Sequence, residues 1–219
     1  KEKIEILVWG GMKRVRMGIQ SGSDRVLEFY DRPNKPGLIP HATSVLAEYK
    51  EYMIPPDYDL IIDNPVETRE DIADTLNLLY SMKRPFNLNV FALRAIPNTE
   101  LANDLMQRGV DIKDIKTSYL IAAPTLANCM VYLLTVFRPP KRLFRYLLKY
   151  AKPFTEEQPH FPLVFFFSRA LWMLKRAYYH VKFLDFSVFP GRVGWLFYHS
   201  GISKLFNRQP PPTAWNPQQ

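Results

Sequence analysis

Three short runs, at residues 15–20, 58–62 and 88–92, read as strands, and each ends in a polar turn that opens a helical stretch. Strands separated by long helical stretches do not pair as hairpins. They imply parallel β/α units, which bind ligands at the carboxyl ends of their strands. The expected fold class is therefore α/β, with its chemistry in the turns that follow the strands.

Local signals place the helices. Residues 2–9 read as a short helix closed by Gly10 and Gly11, and Ser23 is positioned to cap a helix over 24–30. Residues 40–52 carry Ala42, Val45, Leu46 and Tyr49 at helical spacing, and Pro55–Pro56 is expected to stop that helix. Thr68 with Asp71 forms a loose capping box for a helix to about Met82, whose apolar positions are Ile72, Leu76 and Leu79. Thr99 caps a further helix over 100–107, ended by Gly109.

Alternation inside the strands assigns their faces. One face reads Val15, Met17, Ile19, then Tyr58, Leu60, Ile62, then Leu88, Val90, Ala92, and is expected to pack beneath the helices. The other reads Arg16, Gly18, Gln20, then Asp59, Ile61, Asp63, then Asn87, Asn89, Phe91. A filled barrel interior would carry branched aliphatics there. The polar set predicts a roomy cavity for a polar ligand; the alternative is an ordinary sheet with one solvated face.

Charge divides the chain. Residues 138–219 hold 13 Lys/Arg and 3 Asp/Glu, whereas residues 1–137 hold 16 Lys/Arg and 18 Asp/Glu. A lone cysteine, Cys129, excludes a disulfide framework and a structural zinc site, and fits cytoplasmic residence. Residues 1–4 show no apolar leader, and a start at Lys1 rather than Met reads as a processed chain or a fragment. Residues 118–137 are twenty positions without a charge, about the length that spans a bilayer, but Pro124, Asn128 and the hydroxyl residues favour a buried helix pair broken near Pro124.

Gly-x-Gln-Ser-Gly-Ser-Asp at 18–24, Arg32 twelve residues after Gln20, and Asp-Leu-Ile-Ile-x-x-Pro-x-Glu-Thr at 59–68 together resemble the second half of a radical SAM domain. Pro97-Asn98-Thr99-Glu100-Leu101 is similar to the Pro-Gly-Thr-Glu-Leu turn of the cobalamin-dependent class, which carries an N-terminal B12-binding domain. The resemblance covers about residues 2–110. It implies the C-terminal half of a partial (β/α)6 TIM-like barrel, strands four to six. Strands one to three and the Cys-x3-Cys-x2-Cys loop that holds a 4Fe-4S cluster would come from a missing N-terminal half. In that family the cluster reductively cleaves S-adenosylmethionine to a hydrogen-abstracting radical, and methylation or rearrangement of an unactivated carbon follows. S-adenosylmethionine, the cluster and cobalamin are the cofactors implied.

By the same resemblance, Gln20 is a polar contact to S-adenosylmethionine and Arg32 approaches its methionyl carboxylate, for which a planar fork of N–H donors is suited. Asp59 lies near the ribose hydroxyls, Ile61 touches adenine, and Phe91 lies against the adenosyl group. The sequence departs from the family at Asp63, where many members have Gly, and at Asn98, again in place of Gly. The first adds bulk and charge to the site; the second is milder, since Asn tolerates left-handed backbone.

Plainer roles stand beside these. Gln20 could cap its strand, Arg32 could pair with Asp31 or Asp24, and Asp59 could pair with Arg16 on the neighbouring strand. Glu67–Thr68 reads as helix-start chemistry rather than catalysis. Asp59, Asp63 and Asn64 are explained by strand and turn rather than by a metal, and His41, His160, His180 and His199 show no ligand spacing. Cys129 reads as a small buried side chain.

The second region, 111–208, reads as a helical, basic, aromatic-rich extension, with a basic amphipathic helix over 141–151 and an aromatic stretch over 161–188. Residues 209–219 form a Pro/Gln tail expected to be disordered. The favoured reading of the extension is a helical layer closing the barrel's open side with a solvated basic face. An acidic membrane surface is the next, and nucleic acid the least favoured. A membrane-docked chain would draw on a lipid or isoprenoid substrate. The expected function is thus a fragment or subunit of a radical SAM enzyme, inactive alone. The alternative is a non-catalytic peripheral membrane or interaction module on an α/β scaffold.

Overall fold

The computed structural model describes residues 1–32, 35, 37–93, 95–96, 98–109, 122–185, 196 and 199–200. The start of the 118–137 segment, Pro97, most of the loop after Arg32 and the Pro/Gln tail lie outside the described residues.

The described elements are eight helices and a three-stranded parallel sheet in the order β1-β2-β3. Helix α1 (Glu2–Trp9) precedes β1 (Arg16–Gln20), which leads through α2 (Asp24–Phe29) and α3 (Leu38–Glu48) to β2 (Asp57–Ile62). Then come α4 (Arg69–Ser81), β3 (Asn87–Ala92) and α5 (Glu100–Gln107). The extension supplies α6 (Leu126–Val136), α7 (Lys141–Leu148) and α8 (Pro162–Lys182).

The caps are hydroxyls, as the sequence predicts. Ser23 accepts from the Val26 amide and Thr99 from the Ala102 amide. Thr68 and Asp71 form a complete capping box. Thr125, an unforeseen fourth, accepts from the Asn128 amide and starts α6 just past Pro124. Each such cap contributes about 1 kcal/mol by satisfying an orphan helical N–H.

Helix α3 differs from its expected span of 40–52. It starts at Leu38 after Gly37, so Pro40 sits in the first turn, where its missing N–H is no loss. It ends at Glu48 because the following chain pairs elsewhere: the Ile54 amide donates to the Lys13 carbonyl and Lys13 Nζ to the Tyr52 carbonyl. That segment buries Met53 and Ile54 as it approaches the sheet.

Strand β2 is central and alternates as expected. Tyr58, Leu60 and Ile62 are buried, against Leu46 of α3, Leu76 and Leu79 of α4, and Met130, Val131 and Leu134 of α6. Helix α6 is buried along nearly its whole length and packs on α4, α8 and β3. The uncharged run therefore serves the core from Leu126 onward.

The extension departs from expectation in its longest helix. Helix α8 packs on α6 and reaches the sheet, but its cations face the protein. Lys175 Nζ donates to the Thr135 and Phe86 carbonyls, and Arg176 donates to Asn89 and pairs with Asp57. The face expected to be basic and solvated is apolar on α8, because the polar sheet face beneath it offers acceptors that aliphatic side chains could not satisfy. The basic helix expected over 141–151 is α7, which ends at Leu148.

Candidate functional site at the carboxyl ends of the strands

The turns after β1 and β2 are locked together by buried polar contacts. Thr75 Oγ1 accepts from the Gly22 amide at 2.9 Å and lies 3.1 Å from Ser21 Oγ. Ser23 Oγ donates to Asp71 Oδ1 at 2.5 Å, and Arg25 clasps the same carboxylate while donating to the Val66 carbonyl at 2.6 Å. Asn64 Nδ2 donates to the Tyr30 hydroxyl and Asn64 Oδ1 accepts from the Val66 amide. Gly22 is required by this closeness: a Cβ there would stand 2.6 Å from Thr75 Cα and 2.7 Å from the Asp74 carbonyl oxygen. Burial would raise the Asp71 carboxyl, but the donors from Arg25, Ser23 and Thr68 outweigh it and hold the group down to about 2. Much of the Gln-Ser-Gly-Ser-Asp motif is thus the clasp between adjacent β/α units.

Two of the five expected site residues, Gln20 and Arg32, meet at Gly18. Gln20 has a left-handed backbone (φ 57), which folds its side chain back over Gly18. A Cβ on Gly18 would lie 2.4 Å from Gln20 Nε2 and 3.6 Å from an Arg32 guanidinium nitrogen, so both groups occupy the space that glycine leaves open. The ladder partner of Gly18 is Asp59. Asp59 Oδ1 accepts from Arg16 Nε at 2.8 Å and from Asn89 Nδ2 at 2.9 Å, so the cross-strand pair with Arg16 is present. Among the described residues neither Asp31 nor Asp24 pairs with Arg32. Ile61 and Phe91, the other two, are ladder partners on β2 and β3, and Arg16 lies over the Phe91 ring at 5.9 Å.

A separate, open cavity of about 710 Å³ lies toward the amino ends of β1 and β2, lined by Arg14, Arg16, Asp57, Asn89 and Phe91, with Tyr132 of α6 and Trp172 and Arg176 of α8 opposite; of the five expected site residues only Phe91 lines it. The strands therefore line a cavity whose far wall is the extension.

Asp63 has a positive φ of 54. Its Oδ1 accepts from Asn128 Nδ2 at 2.7 Å and its Oδ2 from the Ala123 amide at 2.9 Å. The carboxylate is turned away from the strand end to anchor the start of α6, and burial raises its pKa despite those donors. Asn98 is left-handed too (φ 65), a backbone that Asn tolerates.

Glu67 corrects the sequence reading. It is not helix-start chemistry, for Thr68 and Asp71 cap α4 between themselves. Glu67 is buried at 5% exposure, and its Oε2 has no hydrogen-bond partner among the described residues. Burial, helped by Asp71 and Asp63 and opposed by the Asn64 backbone and by Arg25, pushes it up to about 8. It stands one residue before the cap, outside the first turn, whose acids are Glu70 and Asp71.

Of the implied groups, S-adenosylmethionine fits. Arg32 offers a guanidinium for a carboxylate, and a carboxylate such as Asp59 keeps acceptor capacity beyond two donors. The 4Fe-4S cluster does not fit this chain, which has one cysteine, buried in α6 with its thiol pushed up to about 11. Among the described residues no cluster of three or more His, Cys, Asp or Glu could hold a metal ion. No family model matches the chain, and a search of curated proteins finds no match either.

Proposed function

We propose that this chain is the S-adenosylmethionine-binding half of a radical SAM enzyme, the C-terminal half of a TIM-like barrel. The observation that carries the reading is the meeting of Gln20 and Arg32 over Gly18, beside Asp59, at the carboxyl ends of parallel strands. Arg32 binds the methionyl carboxylate and Gln20 orients it. Asp59, held by Arg16 and Asn89, accepts from the ribose hydroxyls, while Ile61 and Phe91 flank the adenine. When bound beside a reduced cluster, S-adenosylmethionine supplies the hydrogen-abstracting chemistry. The cluster ligands come from a chain or segment that completes the barrel against the open edge of β1, and cobalamin is carried by the resemblance alone.

Calorimetry with S-adenosylmethionine tests the reading, first on the chain alone and then with a cluster-bearing N-terminal half of the barrel. Binding is expected with the completed barrel, and Arg32→Ala should weaken it by about 10- to 100-fold, the worth of charge-assisted hydrogen bonds. Absence of binding in both samples, or equal binding by Arg32→Ala, sinks it.

A further inference from the structure

Helix α8 is amphipathic but turned inside out. Leu163, Phe166, Phe167, Leu174, Tyr178 and Val181 recur at spacings of three, four and seven, so they lie on one face. Their exposures are 73%, 64%, 62%, 67%, 61% and 58%. The opposite face holds buried Ser168, Arg169 over the Tyr132 and Phe165 rings, and the inward-bonded Lys175 and Arg176. A helix of 21 residues is about 30 Å long, so the apolar stripe is continuous over that length. Stripes of this kind mark an interaction surface rather than scattered surface residues.

Charge identifies the occupant. Helices α7 and α8 contain no acidic residue. On α7 and the two residues past its end, Lys141, Arg142, Arg145 and Lys149 are exposed alongside Leu143, Tyr146 and Tyr150. No acid pairs with those four cations among the described residues. The three acids of the basic region lie between or after the helices, where Glu156 pairs with Arg69 and Asp185 with Arg14. Exposed cations beside exposed apolar side chains and no acids, as at α7, match the boundary of an anionic bilayer, where phosphates and acyl chains lie within one side-chain length of each other, and the α8 stripe offers further apolar area. No helix among the described residues is long and apolar enough to cross a membrane, so α8 would lie along the interface.

We propose that α7 and α8 dock the protein on an anionic membrane surface. Phe166, Phe167, Leu174 and Tyr178 enter the acyl boundary, and Lys141, Arg142, Arg145 and Lys149 meet the headgroups. This stands independently of the S-adenosylmethionine reading, because it uses none of the same residues.

Co-sedimentation of the full chain with phosphatidylcholine vesicles, with and without phosphatidylserine, tests it. Binding should require phosphatidylserine and weaken with salt. Lys141→Gln with Arg145→Gln should weaken binding by about fivefold per cation removed. Phe167→Ser with Leu174→Ser should weaken it by at least about tenfold, and circular dichroism should show the same fold, since both side chains are exposed. Equal partition onto neutral vesicles, no partition, or unchanged binding by the stripe variant overturns the proposal. So does light scattering that shows a dimer converted to monomer by the stripe variant, which would make a second copy the occupant.

Discussion

Asp71 and Lys175 are both charged side chains drawn away from water, and their surroundings differ in kind. Asp71 sits in the clasp between the first two β/α units, where Arg25, Ser23 and Thr68 supply donors strong enough to bring it to about 2. Lys175 sits under α8, where burial comes first, Arg84 adds repulsion, and the group falls to about 7 with two carbonyls as its acceptors. In the clasp, buried polarity is matched by opposite charge and the apolar residues are inside. In the α8 layer the polar face is turned in and the apolar face out. The first region is complete within the chain. The second leaves an apolar stripe exposed.

That contrast is broken most directly at Gly22. Replacing it by Ala places a methyl against the Thr75 backbone and the Asp74 carbonyl, neither of which can swing aside as a side-chain tip can. Gly22→Ala is expected to destabilise the chain by about 3 kcal/mol or more, at the upper end of overpacking effects, as read by urea unfolding. A loss below about 1 kcal/mol would mean that the two units are not clasped as described.

Titration sharpens the comparison with a smaller effect. Glu67 keeps its proton in the folded chain up to about 8, against 4.5 ordinarily. Between those values the folded state binds more protons than the unfolded one, so stability falls as pH rises through that window. Lys175 has the opposite sign: between about 7 and its ordinary 10.5 the unfolded state binds more protons, so stability rises with pH there. The expected profile of Tm against pH therefore has a shallow minimum near neutrality. Glu67→Gln should flatten the acid limb and Lys175→Met the alkaline limb. Limbs unchanged in these variants would assign the profile to other groups.

Much of the fold was legible because its signals are local. Ser23, Thr68 and Thr99 announce their helices within four residues, and the period of two in β2 gives its faces without further information. What was not legible depends on partners distant in sequence. Ser21 meets Thr75, Asp63 meets Asn128, and Lys175 meets Phe86, pairings fixed only when the units dock. Helical periodicity in α8 shows two faces but does not say which one faces the protein. At the candidate site, Gln20 closes β1 and Asp59 lies mid-strand on β2, and the Arg16–Asp59 pair follows from adjacency of β1 and β2. The burial of Glu67 was not legible, because nothing next to it in sequence marks it.

The smallest effect separates site from scaffold. Gly18 and Gly22 are four residues apart, and both would clash if given a Cβ, but with different neighbours. At Gly18 the closest atom is Gln20 Nε2, the far end of a flexible side chain, so Gly18→Ala should change stability by no more than about 0.5 kcal/mol. The methyl must nonetheless push the Gln20 amide out of the space that it shares with Arg32. If that space receives S-adenosylmethionine in the completed barrel, Gly18→Ala should weaken its binding by about tenfold, the worth of one displaced hydrogen bond with an orphaned partner. A variant that binds normally would leave the glycine as a shelf for Gln20 alone. One that loses stability as Gly22→Ala does would make the first strand end part of the clasp, and the division between scaffold and site would fall further along the chain, beyond Gln20.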